Sequence, residues 1–210
     1  MTRATTEGTG PQAGHLVVVP ANEASWEDLQ AVFGTSGEPH RCQCQWFQTP
    51  ASEWKSESLE DRAERLRTQT RCGEPGAAST SGLVAYLDGT PVGWCAVEPR
   101  PVYRHLRTMR VPWAGRDEDP EDDGVWSVVC FVTRTGYRRR GVSAALAVAA
   151  VDFARSRGAR ALEGYPLHLP PGTPSTWGEL YVGAPSVFLD AGFHEVSRPT
   201  ARRSVMRIDF

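Results

Sequence analysis

The stretch from Val125 to Pro166 constrains the fold more tightly than any other part of the chain. It opens with VWSVVCFVT (125–133), an apolar run too continuous for a strand with one wet face, so this strand is expected to be central and covered on both sides. A turn carrying three consecutive arginines and Gly141 follows, and the chain then enters an alanine-rich helix. Val142, Leu146, Ala149 and Phe153 mark one face of that helix, and Gly158 stops it. ALEGYP (161–166) reads as another short strand. Strand, helix and strand in this order close as a right-handed parallel crossover, which predicts ALEGYP beside 125–133.

The remaining elements must build outward from this pair. HLVVVP (15–20) reads as a strand stopped by Pro20. SWEDLQAVFG offers Ser25 as N-cap and Gly34 as C-terminal stop, with Leu29, Val32 and Phe33 on one face. EPHRCQCQWF, beginning at Glu38, looks like an irregular aromatic segment. A second helix starts near Ser58 on Leu59, Ala63 and Leu66 and fades before Gly73. Residues 82–98 carry a hairpin signature, two apolar runs around Asp88-Gly89. Residues 99–124 have no sustained period and divide into a basic and an acidic half, which predicts a long functional or mobile loop. A second long loop (167–182) leads to a short helix at about 184–191, with Pro185 in its first turn and Gly192 closing it. FHEVS and RRSVMRIDF look like a terminal strand pair, the latter alternating Ser204, Met206, Ile208 and Phe210 with Arg203, Val205, Arg207 and Asp209. The expected organisation is a disordered tail (1–14) and a single domain (15–210) with 99–124 as a loop insertion.

Composition excludes several function classes. With 23 Lys+Arg against 25 Asp+Glu, the chain lacks the basic excess that an extended phosphate backbone demands, so the arginine triplet acts locally and no nucleic-acid partner is expected. No apolar run reaches the length of a membrane span, and MTRATTEGTGPQAG has no apolar secretory core. Five cysteines without a CxxC pair suit reduced thiols and a cytoplasmic location. His40, Cys42 and Cys44 alternate as metal ligands can, but a structural site wants a fourth ligand that the sequence does not supply, so no metal is expected.

A buried strand that turns tightly into a helix aims the first helical N–H groups at one small volume, which attracts anions. Gly141 removes a Cβ from that approach, Ser143 and Ala144 keep the mouth open, and the arginines can close over two phosphates. The run Arg138-Arg139-Arg140-Gly141-Val142-Ser143, followed by Ala144, resembles the coenzyme A signature [Q/R]-x-x-G-x-[G/A] of the GNAT superfamily of N-acetyltransferases, with serine in place of the last small residue. FLDAGF is similar to that family's Y-x-x-x-G-F helix end, with Phe188 at the tyrosine position. The resemblance implies an α/β (α+β) fold with a mixed, V-splayed central sheet of about seven strands and flanking helices. It also implies acetyl-CoA as co-substrate, its diphosphate held by Arg138 to Ala144 and its pantetheine arm lying along Phe131, Val132 and Thr133. The implied reaction is direct acyl transfer to an amine.

Such a reaction needs a neutral amine, so a carboxylate is sought as proton acceptor. Glu163 on ALEGYP, which could equally make a structural salt bridge, and the weaker Glu98 at the end of CAVEP are the strand-borne candidates; Glu179 is a third that reads first as a solvated loop acid. A backbone N–H near Val132 would stabilise the developing oxyanion. Because Phe188 cannot donate a proton, Tyr181 is the candidate acid, although packing against a cleft wall would also explain it. Cys130 invites a covalent mechanism, yet within VVCFV it reads as a core side chain. Trp46, Phe47, Trp54, Trp113 and Trp177 could line an acceptor pocket. If the acidic run Asp117 to Asp123 folds over the cleft, it favours a cationic acceptor such as a polyamine, an aminoglycoside or a lysine side chain. The acceptor is a small-molecule or protein amine, and the oligomeric state stays open, a homodimer included. The competing reading is a non-catalytic acyl-CoA-binding or partner-binding domain that retains only the coenzyme cradle.

Overall fold

In the computed structural model, residues 14–170, 172–173 and 180–210 are described; the expected tail up to residue 13, Trp177 and Glu179 lie outside the described residues. One seven-stranded sheet has the order β1-β2-β3-β4-β5-β7-β6. Its strands are β1 (Leu16–Pro20), β2 (Leu83–Leu87), β3 (Thr90–Pro99), β4 (Val125–Thr133), β5 (Ala161–Gly164), β6 (His194–Thr200) and β7 (Arg203–Asp209). The β4–β5 pair is parallel and its neighbours are antiparallel, so the sheet is mixed, as the crossover argument predicts. The β2–β3 hairpin turns on Asp88 (φ 49°) and Gly89 (φ 76°), the pair of positive φ angles that a two-residue turn needs to match strand twist.

The helices are α1 (Trp26–Phe33), α2 (Gly37–Cys42), α3 (Leu59–Thr70), α4 (Val142–Ser156) and α5 (Pro185–Asp190). Ser25 caps α1 by accepting from the Asp28 amide, and Ser58 with Asp61 forms a complete capping box on α3. On one face of the sheet α4 buries Leu146, Ala147, Ala150, Val151 and Ala154. That face is wider than the sequence suggested and leaves Ala149 only half-buried, because α4 meets both the sheet and α5. Its close approach depends on Gly93: a Cβ there would lie 2.4 Å from Val142 Cγ1.

The other face carries α1, Leu66 of α3 and the two segments read as irregular. EPHRCQCQWF supplies most of α2, then reverses through Gln43 (φ 46°) and Cys44 (φ 56°), a left-handed turn with no local sequence signal. Residues 99–124 are packed rather than loose: they contain two 3-10 turns, Arg100–Val102 and Arg104–Thr108, and bury Arg100, Tyr103 and Leu106. The alternation expected in β7 also fails, since Ser204, Val205 and Met206 are all buried in a strand flanked by β5 and β6.

The position of the site follows from one irregularity. β4 and β5 pair from Val125↔Ala161 to Val128↔Gly164 and then part. At that point β4 carries an extra residue, Val129, opposite the junction of Ala96 and Val97, and such a bulge bends a strand and re-aims its side chains. Tyr181 to Gly183 enter the gap: the Phe131 N–H donates to the Tyr181 carbonyl at 2.6 Å and the Leu167 N–H to that of Gly183 at 3.1 Å. Among the described residues no helix is long and apolar enough to cross a membrane.

Candidate active site

A cavity of about 430 Å³ opens where β4 runs into α4. The turn between them holds Arg139 at φ 63° and Gly141 at φ 78° on either side of Arg140, an alternation that gathers backbone N–H groups into a concave nest. Gly141 is the N-cap of α4 and offers no side chain to the first helical amides, which therefore face the cavity without a cap. Its walls include Phe131 and Thr133 of β4, Arg138, Arg139 and Gly141 of the turn, and Val142, Ser143 and Ala144 of α4. Of the residues expected to hold coenzyme A, Val132 and Arg140 do not line it. The Arg140 guanidinium instead lies 5.4 Å from the Tyr137 ring centroid, sharing that ring with Arg134. Val132 packs into the core of the opposite face. Its amide also turns the other way, because Phe131 donates to the open side and Arg134 donates to Val92 on β3, which puts Val132 on the β3 side by alternation. The open-side amides are those of Phe131 and Thr133.

A second cavity, about 250 Å³, lies on the far face of β4. Trp46, Phe47, Trp54 and Tyr181 form its aromatic walls, and the thiols of Cys42, Cys44 and Cys130 fill in between them. Trp46 and Trp54 meet edge to face at 5.1 Å, and Phe47 and Tyr181 tilt together at 6.1 Å. Among the described residues the one carboxylate in its lining is Glu38, whose side chain is 59% exposed and bonded to Arg41. Burial, reinforced by Cys44, pushes the Cys42 thiol up to about 12. A hydrogen bond with Cys44 and then burial push Cys130 well up, so neither thiol is disposed to act as a thiolate nucleophile. Among the described residues no three His, Cys, Asp or Glu side chains are grouped to hold a metal. Trp113 is elsewhere, its Nε1–H donating to the Leu106 carbonyl at 2.7 Å.

Consecutive residues of β4 and of the bridging segment divide the two cavities. Cys130 and Tyr181 line the aromatic one, while Phe131 and Leu180 line the one at α4. Burial raises the Tyr181 hydroxyl above its ordinary value of 10.0, which keeps it protonated. Phe188 is fully buried, its ring pressed on Gly164 and Gly183 and edge to face with Phe131 at 5.8 Å. Glu38, Cys42 and Cys44 reach the aromatic cavity only through the left-handed turn at Gln43 and Cys44, so only the cluster of aromatic residues around them hinted at a lining.

Neither strand-borne glutamate lines either cavity. Glu163 has 0% exposure and is enclosed by cations and a phenol. It accepts from Arg100 at 3.3 Å, from Arg207 at 2.9 Å, from both terminal nitrogens of Arg116, and from Tyr165 at 3.0 Å. Burial alone would raise its carboxyl, but the Arg116 hydrogen bond and charge, with Arg100 and Arg207 behind them, hold it below the ordinary value of 4.5. A carboxylate so stabilised is a poor proton acceptor, and its surroundings are those of a buried ion-pair centre. Glu98 shows the reverse: burial raises its carboxyl although Gln48 Nε2 donates to it at 2.8 Å. The acidic run does not cover the cleft either. Glu118 joins Arg100, Arg116 and Arg207, Glu121 pairs with Arg107, and Asp122 pairs with Arg160.

Comparison with known proteins agrees with this geometry. The model of the acetyltransferase (GNAT) family matches residues 42–165. No sequence among curated proteins matches the chain. A GCN5-related N-acetyltransferase from Kribbella flavida superposes with a TM-score of 0.52 at 20% identity, over 96% of this chain and 100% of that one. An N-acetyltransferase from Staphylococcus aureus Mu50 gives 0.51 at 12% identity, over 93% and 98%. The yncA protein of Salmonella typhimurium, solved with its cofactor acetyl-CoA, gives 0.51 at 12% identity, over 92% and 93%. At such identities the likeness is one of fold.

Proposed function

The chain belongs to the acetyltransferase (GNAT) family, and we propose that it is an N-acetyltransferase that moves an acetyl group from acetyl-CoA directly onto a primary amine. The observation that carries this reading is the pair of cavities divided by Cys130 and Phe131, one ringed by uncapped amides and arginines, the other apolar.

When bound, acetyl-CoA supplies an acetyl group already activated as a thioester. The amides of Val142, Ser143 and Ala144 with the guanidiniums of Arg138 and Arg139 suit its diphosphate, and a cavity of about 430 Å³ has room for that end of the molecule. The open-side amide of Thr133, next after Phe131 on that side, would orient the arm and polarise an acyl oxygen; its place in the cavity wall supports this role. Tyr181 keeps its phenolic proton and stands beside the division between the cavities, where a departing sulfur would take it. No buried carboxylate is required to free the nucleophile: an ammonium leaving water for aromatic and thiol walls loses its proton more readily, because desolvation lowers its pKa.

Calorimetry with acetyl-CoA, coupled to thiol release over a panel of amines, tests the reading. Arg138→Glu with Arg139→Glu is expected to weaken acetyl-CoA binding by about 10- to 100-fold, since charge-assisted contacts are each worth roughly 1.5–3 kcal/mol when fully formed and these are partly solvated. An unchanged affinity in the double variant would refute the coenzyme assignment. The non-catalytic alternative draws on Phe188, fully buried where a proton-donating tyrosine would be sought, and on the Phe131 amide already bonded to Tyr181. Acetyl-CoA binding without thiol release from any amine would favour it.

A further inference from the structure

The transferase reading leaves the amine undefined, and the aromatic cavity narrows it. From its lining we infer that the acceptor is an arylalkylamine, a primary amine joined by a short chain to one aromatic ring; this rests on the transferase assignment. Size is the first constraint. A cavity of about 150 Å³ takes a benzene ring, and this one measures about 250 Å³, room to enclose a ring and a short carbon chain but not a whole aminoglycoside. Chemistry is the second. Among the described residues the walls are four aromatic rings, three thiols and the single carboxylate of Glu38, which reward an apolar, polarisable body over a polycation.

Among the described residues, four carboxylates that could have served a polyamine are paired with arginines. Glu38, the sole carboxylate in the lining among the described residues, already bonds Arg41, while Glu118, Glu121 and Asp122 are tied to arginines outside the cavity. Cation capture by the Trp54 face is blocked too, because the Arg62 guanidinium covers it at 3.7 Å. Orientation follows from what is left. The ring of the acceptor sits toward Trp46 and Trp54, and its amine points to Cys130 and Tyr181, the two lining residues that adjoin the other cavity.

The test uses the full chain with acetyl-CoA and compares 2-phenylethylamine, ethylamine, spermidine and a lysine peptide by thiol release, with phenylethylamine binding followed separately by tryptophan fluorescence. Burial of one aromatic ring predicts a kcat/KM for phenylethylamine about 10- to 150-fold above that for ethylamine. Trp54→Ala is expected to raise KM for phenylethylamine about 10-fold and leave acetyl-CoA binding as it was. Cys42→Phe, which fills the cavity from the end of α2, is expected to erase the preference for the ring. Spermidine or the lysine peptide as best substrate, or no fluorescence response to phenylethylamine, would overturn the arylalkylamine assignment. Saturable phenylethylamine binding that Cys42→Phe abolishes, with no turnover of any amine, would support the pocket and count against the transferase.

Discussion

Replacing Glu163 by glutamine separates a structural role from a catalytic one. The substitution keeps the shape and removes one charge from a cluster in which Glu163 and Glu118 face Arg100, Arg116 and Arg207. Arg100 is completely buried and Arg116 nearly so, therefore neither guanidinium can turn to water when the charge goes. Removing one partner of a buried ion pair costs about 3–5 kcal/mol. For a chain of 210 residues this corresponds to a fall in Tm of about 6 to 20 °C. Urea denaturation and calorimetry at pH 7 read both quantities. The sign with pH is also fixed: the carboxyl sits below 4.5 in the fold, so the unfolded chain takes up its proton first, and stability present above 4.5 is lost as pH falls through the folded value. The gap between wild type and Glu163→Gln should therefore close under acid. A loss of stability under about 1 kcal/mol, together with loss of turnover and of an acid limb in kcat/KM, would show Glu163 to be a proton acceptor and refute this reasoning.

Three further outcomes follow from separate features. Gly164→Ala would set a Cβ 2.1 Å from Phe188 Cε1, and the displaced ring should cost about 1–3 kcal/mol in urea denaturation. Glu98→Gln should flatten the pH dependence of stability above 4.5: burial raises the Glu98 carboxyl, so the fold keeps that proton longer than the unfolded chain, and wild-type stability declines as pH rises through the folded value. Tyr181→Phe should lower kcat by about 100-fold with acetyl-CoA affinity unchanged in calorimetry, the lower end of the range for loss of one general acid.

The sheet was legible in the sequence because its signals are local or chirally constrained. Continuous apolar character from Val125 to Thr133, the Asp88-Gly89 turn and the single crossover through α4 leave few other arrangements. The cavity at α4 was legible for the same reason, since a glycine at a strand–helix junction is a backbone signal. What escaped depends on contacts far apart in the chain. Nothing near Arg100 announces that it will be buried against Glu163, 63 positions on, so the segment from 99 to 124 read as a loop and its acids as a free charge run. Glu163 looked like a base because a strand position reports which residues adjoin a cleft, but not which cations will enclose them. Arg140 is turned from the cavity over Tyr137, a contact that three identical residues in a row do not announce.

The bulge at Val129 explains why two chemically opposite cavities can meet. Cys130 and Phe131 point to opposite faces as in any strand, and the bulge coincides with the end of β4–β5 pairing at Val128↔Gly164, beyond which β5 does not seal the space between them. Because pairing ends at Val128, Leu180 to Gly183 take the place of β5; this segment gives Tyr181 to the apolar cavity, while Phe188 of α5 packs behind Gly183 at the floor of the gap. Gly183 has φ 85°, and even a Cβ would come within 2.8 Å of Phe188 and 3.1 Å of Phe131. The bridging segment thus lies as close to β4 as backbone can, and a shift in it moves the walls of both cavities at once. In the proposed reaction that coupling is useful, because amine and thioester must approach to about 3–3.5 Å for attack, and a single rigid backbone contact at Phe131 sets the register of both.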